Sequence, residues 1–125
     1  MVKPRVRLTR LELQLMDILW ELGDGAVRDV QEAIPEKRRP AYTTVQTILN
    51  RLEGKGAVKK VRKIGNAWIF EPAINRKKIH ERLIDDFLEL FGGSATPLVS
   101  HLLESGKLSL DDVKAIEQTL EREKE

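Results

Sequence analysis

Residues 41–56, AYTTVQTILNRLEGKG, hold the side chains of this chain best suited to chemistry. Thr43, Thr47 and Asn50 recur at i, i+4 and i+7 with Gln46 and Arg51 beside them. At about 100° per residue, all of them share the outward side of one helix. Hydroxyls, carboxamides and a guanidinium in that arrangement exchange hydrogen bonds with base edges and phosphate oxygens. Glu53 is the only acid between Tyr42 and the basic run that starts at Lys59, which suits a polyanionic partner. Any surface helix has a polar side, however, and threonine is a mediocre helix former. The surrounding elements therefore decide what this face is for.

The opposite side of that helix is apolar. Val45, Ile48, Leu49 and Leu52 form one stripe for a core, and Gly56 supplies the left-handed position at which helices commonly stop. A first helix opens at Thr9, where Thr-Arg-Leu-Glu is a capping box and Leu8 and Leu13 are spaced as a staple. Leu11, Leu15, Ile18, Leu19 and Leu22 are its expected core stripe, and Leu13, Met16 and Trp20 lie on another side. Gly23, Asp24 and Gly25 end it. Val27, Val30, Ala33 and Ile34 mark a shorter second helix that stops at Pro35. The connector 36–40 brings Lys37, Arg38 and Arg39 to the start of the third helix, a place from which cations can clamp a backbone phosphate. Beyond Gly56, Val58, Val61 and Ile64 and then residues 67–70 flank Gly65-Asn66, the pattern of a hairpin that carries Lys59, Lys60, Arg62 and Lys63. Three helices followed by a hairpin is the order of a winged helix-turn-helix. Ahead of it, Lys3, Arg5 and Arg7 alternate with apolar residues, as in an extended arm or a tail close to phosphates.

The net charge of +2 conceals a strong polarity. Residues 1–78 hold 17 Lys and Arg against 9 Asp and Glu, a net of +8; residues 79–125 hold 5 against 11, a net of −6. Attraction to a duplex scales with the phosphates neutralised, so the first part is the expected nucleic-acid binder. With no cysteine, disulfides and thiolate metal sites are excluded. No apolar run approaches the roughly 18 residues of a membrane span, and MVKPRVRLTR lacks the apolar core of a signal peptide, so a cytoplasmic location is expected. His80 and His101 stand apart with no second ligand at helical spacing, and no nucleophile is paired with a base. Neither an enzyme activity, a metal nor a cofactor is expected.

The second part of the chain reads as helical. Asn75 can cap a fourth helix from residue 76 to 91 that ends at Gly92-Gly93; Thr96 is an expected N-cap, followed by Pro97 at the first helical position, and opens a fifth; Ser109, with Asp111 and Asp112 in the first turn and Leu108 paired to Val113, opens a sixth. Ile79, Leu83, Phe87 and Phe91, then Leu98 and Leu102, then Val113, Ile116 and Leu120 form apolar faces. Each large aliphatic removed from water is worth roughly 1.5–3 kcal/mol, and three short helices cannot bury all of these faces alone. Pairing with a second copy is the expected solution, ahead of a lobe folded back on Leu13 and Trp20.

The stretches LTRLELQLMDILW, AYTTVQTILNRLEGKGAVKK, NAWIFEP and SLDDVKAIEQTL together resemble the bacterial penicillinase and methicillin-resistance repressor family, which also includes copper-responsive repressors. The resemblance implies a homodimeric repressor whose amino-terminal winged helix binds operator DNA with an inverted repeat and whose carboxyl-terminal helices entwine. Carried over by position, it implies DNA contacts at Thr43, Thr44, Gln46, Thr47 and Arg51 on the third helix and at Lys63 and Asn66 on the wing. Antibiotic-responsive members are released when a membrane sensor leads to proteolysis at an Asn-Phe bond in the dimerisation lobe. The matching bond here is His101-Leu102, so that signature is absent, and so is the cysteine cluster of the copper-responsive members. Ala41 stands where some relatives place a serine cap, which would cost the third helix about 1 kcal/mol.

The expected fold is mainly α with a small β hairpin: a winged helix-turn-helix DNA-binding domain over residues 1–74 and a helical dimerisation domain over 75–125. The expected function is transcriptional repression. The expected DNA-contacting residues are Thr43, Thr44, Gln46, Thr47, Asn50, Arg51, Lys63, Asn66 and Arg39. The expected partners are double-stranded operator DNA, a second copy of the chain and, where release is proteolytic, a sensor-linked protease. The alternative function is a winged helix that binds proteins rather than specific DNA.

Overall fold

A computed structural model describes residues 7–124. Of the expected amino-terminal arm, Lys3 and Arg5 lie outside the described residues. The order of elements is α1 (Arg10–Leu22), α2 (Val27–Glu32), a single 3-10 turn (Glu36–Arg38), α3 (Tyr42–Gly54), β1 (Val58–Ile64), β2 (Ala67–Pro72), α4 (Arg76–Glu89), α5 (Thr96–Glu104) and α6 (Leu110–Lys124). The chain divides into two compact units, Met1–His80 and Glu81–Glu125.

In the first unit, α1, α2 and α3 close around a core that β1 and β2 complete. The capping box at α1 forms as spaced: the Thr9 hydroxyl accepts from the Glu12 amide at 3.2 Å, and the Glu12 carboxylate accepts from the Thr9 amide at 2.9 Å. Leu15, Met16, Leu19, Val30, Ile34 and the whole α3 stripe of Val45, Ile48, Leu49 and Leu52 are buried together with Ala57, Val58 and Phe70. The buried side of α1 differs from the expected stripe. It runs through Glu12, Leu15, Met16 and Leu19 and leaves Leu11 and Leu22 exposed. On a helical wheel this turns the packing face by about 70° toward Met16. The cause is tertiary. Glu12 faces inward to meet Lys55, and the Trp20 indole N–H donates to the Ile74 carbonyl at 3.1 Å, which draws that side of α1 against the chain leaving β2.

The second helix is shorter than expected, ending at Glu32, so Ala33 is exposed while Ile34 still reaches the core. Gly56 has the left-handed φ of 78° at the stop of α3, and Ala57 N–H returns to the Leu52 carbonyl at 2.9 Å. The antiparallel hairpin turns at Gly65-Asn66 and pairs Val58 with Pro72 and Ile64 with Ala67. Its register slips at Val61, where a bulge separates the pairs Lys60–Phe70 and Arg62–Ile69. Gly25, in the turn between α1 and α2, exchanges backbone hydrogen bonds with Phe70 at 2.8 and 3.0 Å and anchors β2 to the helices.

Helix α4 begins in the first unit and continues into the second, and α4, α5 and α6 each have one apolar side. Asn75 caps α4, its Oδ1 accepting from the Lys77 amide at 2.8 Å. Helix α4 stops at Glu89, so Phe91 lies in the following turn. Thr96 is the first residue of α5 rather than its cap, and Pro97 sits within the first turn. The capping box of α6 forms between Ser109 and Asp112, with both hydrogen bonds at 3.0 Å. The Ser109 amide, then its hydroxyl, holds the Asp112 carboxyl below its ordinary range. Among the described residues 81–124, none is buried.

Candidate nucleic-acid interface

The outward side of α3 is exposed to solvent. Thr43, Thr44, Gln46, Thr47, Asn50 and Arg51 are all exposed, while the stripe opposite them is sealed into the core, so the helix is rigidly held with its polar side presented. The Thr47 hydroxyl donates to the Thr43 carbonyl at 2.9 Å. With its proton committed to the backbone, Thr47 offers a methyl group and oxygen lone pairs, a surface for a thymine methyl or a base amino group. Gln46 and Asn50 carry carboxamides able to address adenine on two atoms, and Arg51 can address guanine in the same manner. Ala41 takes the extended conformation of a cap (φ −63°, ψ 153°) but supplies no side-chain hydrogen bond.

The hairpin borders this face. Tyr42, Gln46 and Asn50 of α3 and Lys60, Asn66 and Trp68 of the hairpin line a shared notch of about 140 Å³. Asn66 is expected there from the family resemblance, whereas Tyr42, Lys60 and Trp68 line the notch without being among the expected contacts. The spacing of Trp68 and Phe70 is the available signal, since period two puts both on one side of β2. Lys60 Nζ lies 5.5 Å and Lys63 Nζ 5.2 Å from the centre of the Trp68 ring. Lys60 also lies 3.6 Å from the Glu53 carboxylate. Arg62 projects to the other side and pairs with Asp24 at 3.1 Å.

Arg39 has a different environment from the rest of the expected contacts. Its Nε donates to the Ile34 carbonyl and its Nη2 to the Glu32 carbonyl, both at 3.0 Å, so the guanidinium closes the end of α2. Lys37 and Arg38 in the neighbouring 3-10 turn are exposed.

Behind the interface, Lys55 ties the end of α3 to α1. Its ammonium donates to Glu12 at 2.6 Å and to the Arg7 carbonyl at 2.9 Å. Burial at Glu12 works against the charged form, but the hydrogen bond from Lys55, those from the Thr9 amide and hydroxyl, and the charge of Lys55 together outweigh it. The carboxyl is held below the usual glutamate value of 4.5.

The apolar residues of the carboxyl-terminal part fall into two groups. Leu83, Phe87, Phe91, Ile116 and Leu120 are exposed and Leu98, Leu102 and Val113 half-buried, with Phe87 and Phe91 in edge contact at 5.2 Å between ring centres. Ile79, grouped with them on sequence, is only 5% exposed: it is buried within its own chain and adds nothing to a free face. The His101-Leu102 bond lies inside α5. Among the described residues, no helix is long and apolar enough to cross a membrane, and no group of three His, Cys, Asp or Glu is placed to hold a metal.

Residues 8–122 match the penicillinase repressor family. The chain belongs to that family. Within it, the transcriptional regulator BlaI of Mycobacterium tuberculosis is 33% identical over 117 residues, covering 91% of this chain and 83% of that protein. The penicillinase repressor of Bacillus licheniformis is 28% identical over 114 residues, covering 90% and 88%. The DNA-binding domain of the repressor BlaI, solved in solution, superimposes with a TM-score of 0.52 at 25% identity over 60% of this chain and 90% of that domain. Over that part of the chain the fold is therefore a winged helix-turn-helix, formed by α1, α2, α3 and the hairpin.

Proposed function

We propose that this penicillinase-repressor family member is a transcriptional repressor that binds operator DNA as a homodimer through an inverted repeat. The observation that carries the proposal is the outward face of α3: Thr43, Thr44, Gln46, Thr47, Asn50 and Arg51 exposed together, beside a wing that bears Lys60, Lys63 and Asn66. Each protomer lays α3 in a major groove, the half-sites lie about one helical turn apart, and the wing holds phosphates. The winged-helix domain takes residues 1–74, and residues 75–125 form the dimerisation domain. The unburied apolar sides of α4, α5 and α6 support the pairing of two copies, because faces of that extent stay in water only at large cost. Occupancy of the promoter blocks transcription, and an upstream signal ends it. A protease acting on α5 would separate the two half-site readers, although His101-Leu102 must first leave its helix.

The test is duplex binding measured across a range of salt. A repressor gives a linear fall of log affinity with log salt, tighter binding to a palindrome than to a scrambled duplex, and a protein-to-duplex ratio of two. Binding that ignores both salt and sequence would replace this reading with a winged helix that docks proteins.

A further inference from the structure

The bulge at Val61 changes which residues of the wing act together. Lys60 and Lys63 are three apart, and on an unbroken strand that odd spacing would send them to opposite sides. The extra residue restores parity: Lys60 opposes Phe70, Arg62 opposes Ile69 and Lys63 opposes Trp68, so Lys60, Lys63, Trp68 and Phe70 share one side and Arg62 is turned to the other. That side borders the notch shared with α3. There Trp68, at 42% exposure, has both ammonium groups within 5.5 Å of its ring centre.

We propose that Trp68 is a positioning residue for DNA binding: its ring gathers Lys60 and Lys63, brought to one side of the hairpin by the Val61 bulge, into a paired-cation seat for the duplex backbone beside α3. The inference rests on the DNA-binding reading above. Cation–π attraction at exposed sites is modest, but it restricts two long, flexible side chains that would otherwise lose rotamer freedom on meeting a phosphate. Glu53 holds Lys60 from its own side at 3.6 Å and opposes the phosphate, so the ring, which competes for no ionic bond, is the group that can stay in place when DNA arrives. Arg62 on the other side is already paired with Asp24 and lies outside the seat.

The experiment is a double-mutant cycle on the full-length protein with a duplex of random sequence as probe, read as affinity and as the slope of log affinity against log salt. Trp68→Leu, which keeps every charge, is expected to bind about five-fold more weakly and to lose about one unit of slope. Trp68→Phe is expected to recover most of both. Lys60→Ala is expected to weaken binding in the native background and to have almost no effect in the Trp68→Leu background. Trp68→Val, with a high strand propensity, reads the same quantities should the leucine variant lose its hairpin. Native-like affinity and slope in Trp68→Leu, or effects of Lys60→Ala and Trp68→Leu that simply multiply, would overturn the positioning role. If the native protein bound no duplex at all, the DNA-binding reading itself would fail, an outcome distinct from either of these.

Discussion

Lys55 Nζ lies 2.6 Å from Glu12 Oε1, a contact that joins residues 43 positions apart and locks the end of α3 to the first turn of α1. Glu12 is 2% exposed, and Lys55 emerges to solvent beside it. The pair therefore fixes how α3 is presented without occupying any of its outward side.

Glu12→Gln should lower the stability of the folded protein by about 1–3 kcal/mol, because the buried amide replaces an ionic acceptor of Lys55 and of the Thr9 amide. The folded carboxyl titrates below its ordinary 4.5, so its contribution is fully present above that pH and is lost as the pH falls through the lower folded value. Urea unfolding of the native protein and of Glu12→Gln should show a constant gap above about pH 5 and a shrinking gap under pH 4.5. A gap independent of pH would contradict the ionic account.

Ala41→Ser should stabilise the protein by about 1 kcal/mol, since the backbone there is already extended as a cap requires and only the hydroxyl is missing. Thermal unfolding checks it. A Tm equal to that of the native chain would show that the end of α3 is satisfied by other means.

Arg51→Ala should cost about 1–3 kcal/mol on the preferred duplex and relax preference at one base position, whereas Lys63→Ala should weaken binding to preferred and scrambled duplexes by a similar factor and reduce the salt slope by about 1. Competition binding with both duplexes separates the two behaviours. The converse pattern would move base reading from α3 to the wing.

Phe87→Asp places a charge on the exposed apolar side of α4 and should raise the dimer dissociation constant at least ~100-fold, because a two-fold interface meets the change twice. Sedimentation equilibrium reads it directly. A native protein that is monomeric at micromolar concentration would contradict the dimer proposal.

Local chemistry carried most of what was legible in the sequence. The α3 stripe of Val45, Ile48, Leu49 and Leu52, the capping box at Thr9, the helix start at Ser109, the Asn75 cap and the Gly65-Asn66 turn depend on residues a few positions apart, and each forms as spaced. Features set by distant partners were not legible. The turned face of α1 follows from Lys55 reaching Glu12 and from Ile74 receiving Trp20. The Val61 bulge exists only in the pairing of β1 with β2, so nothing in VKKVRKI alone reveals that Lys60 and Lys63 share a side. Arg39 reads as one more cation of the connector until the open carbonyls of Glu32 and Ile34 are in place to receive it. Ile79 fits the apolar period of α4, yet its burial belongs to the winged unit.

The most direct test of sequence-specific repression is selection of the purified full-length protein against a randomised duplex pool at near-physiological salt. The account predicts enrichment of an inverted repeat with half-site centres about one helical turn apart, and loss of that enrichment at defined positions in Thr47→Ala and Arg51→Ala. A folded, dimeric protein that enriches no sequence would contradict it and turn attention to a protein partner for the exposed face of α3.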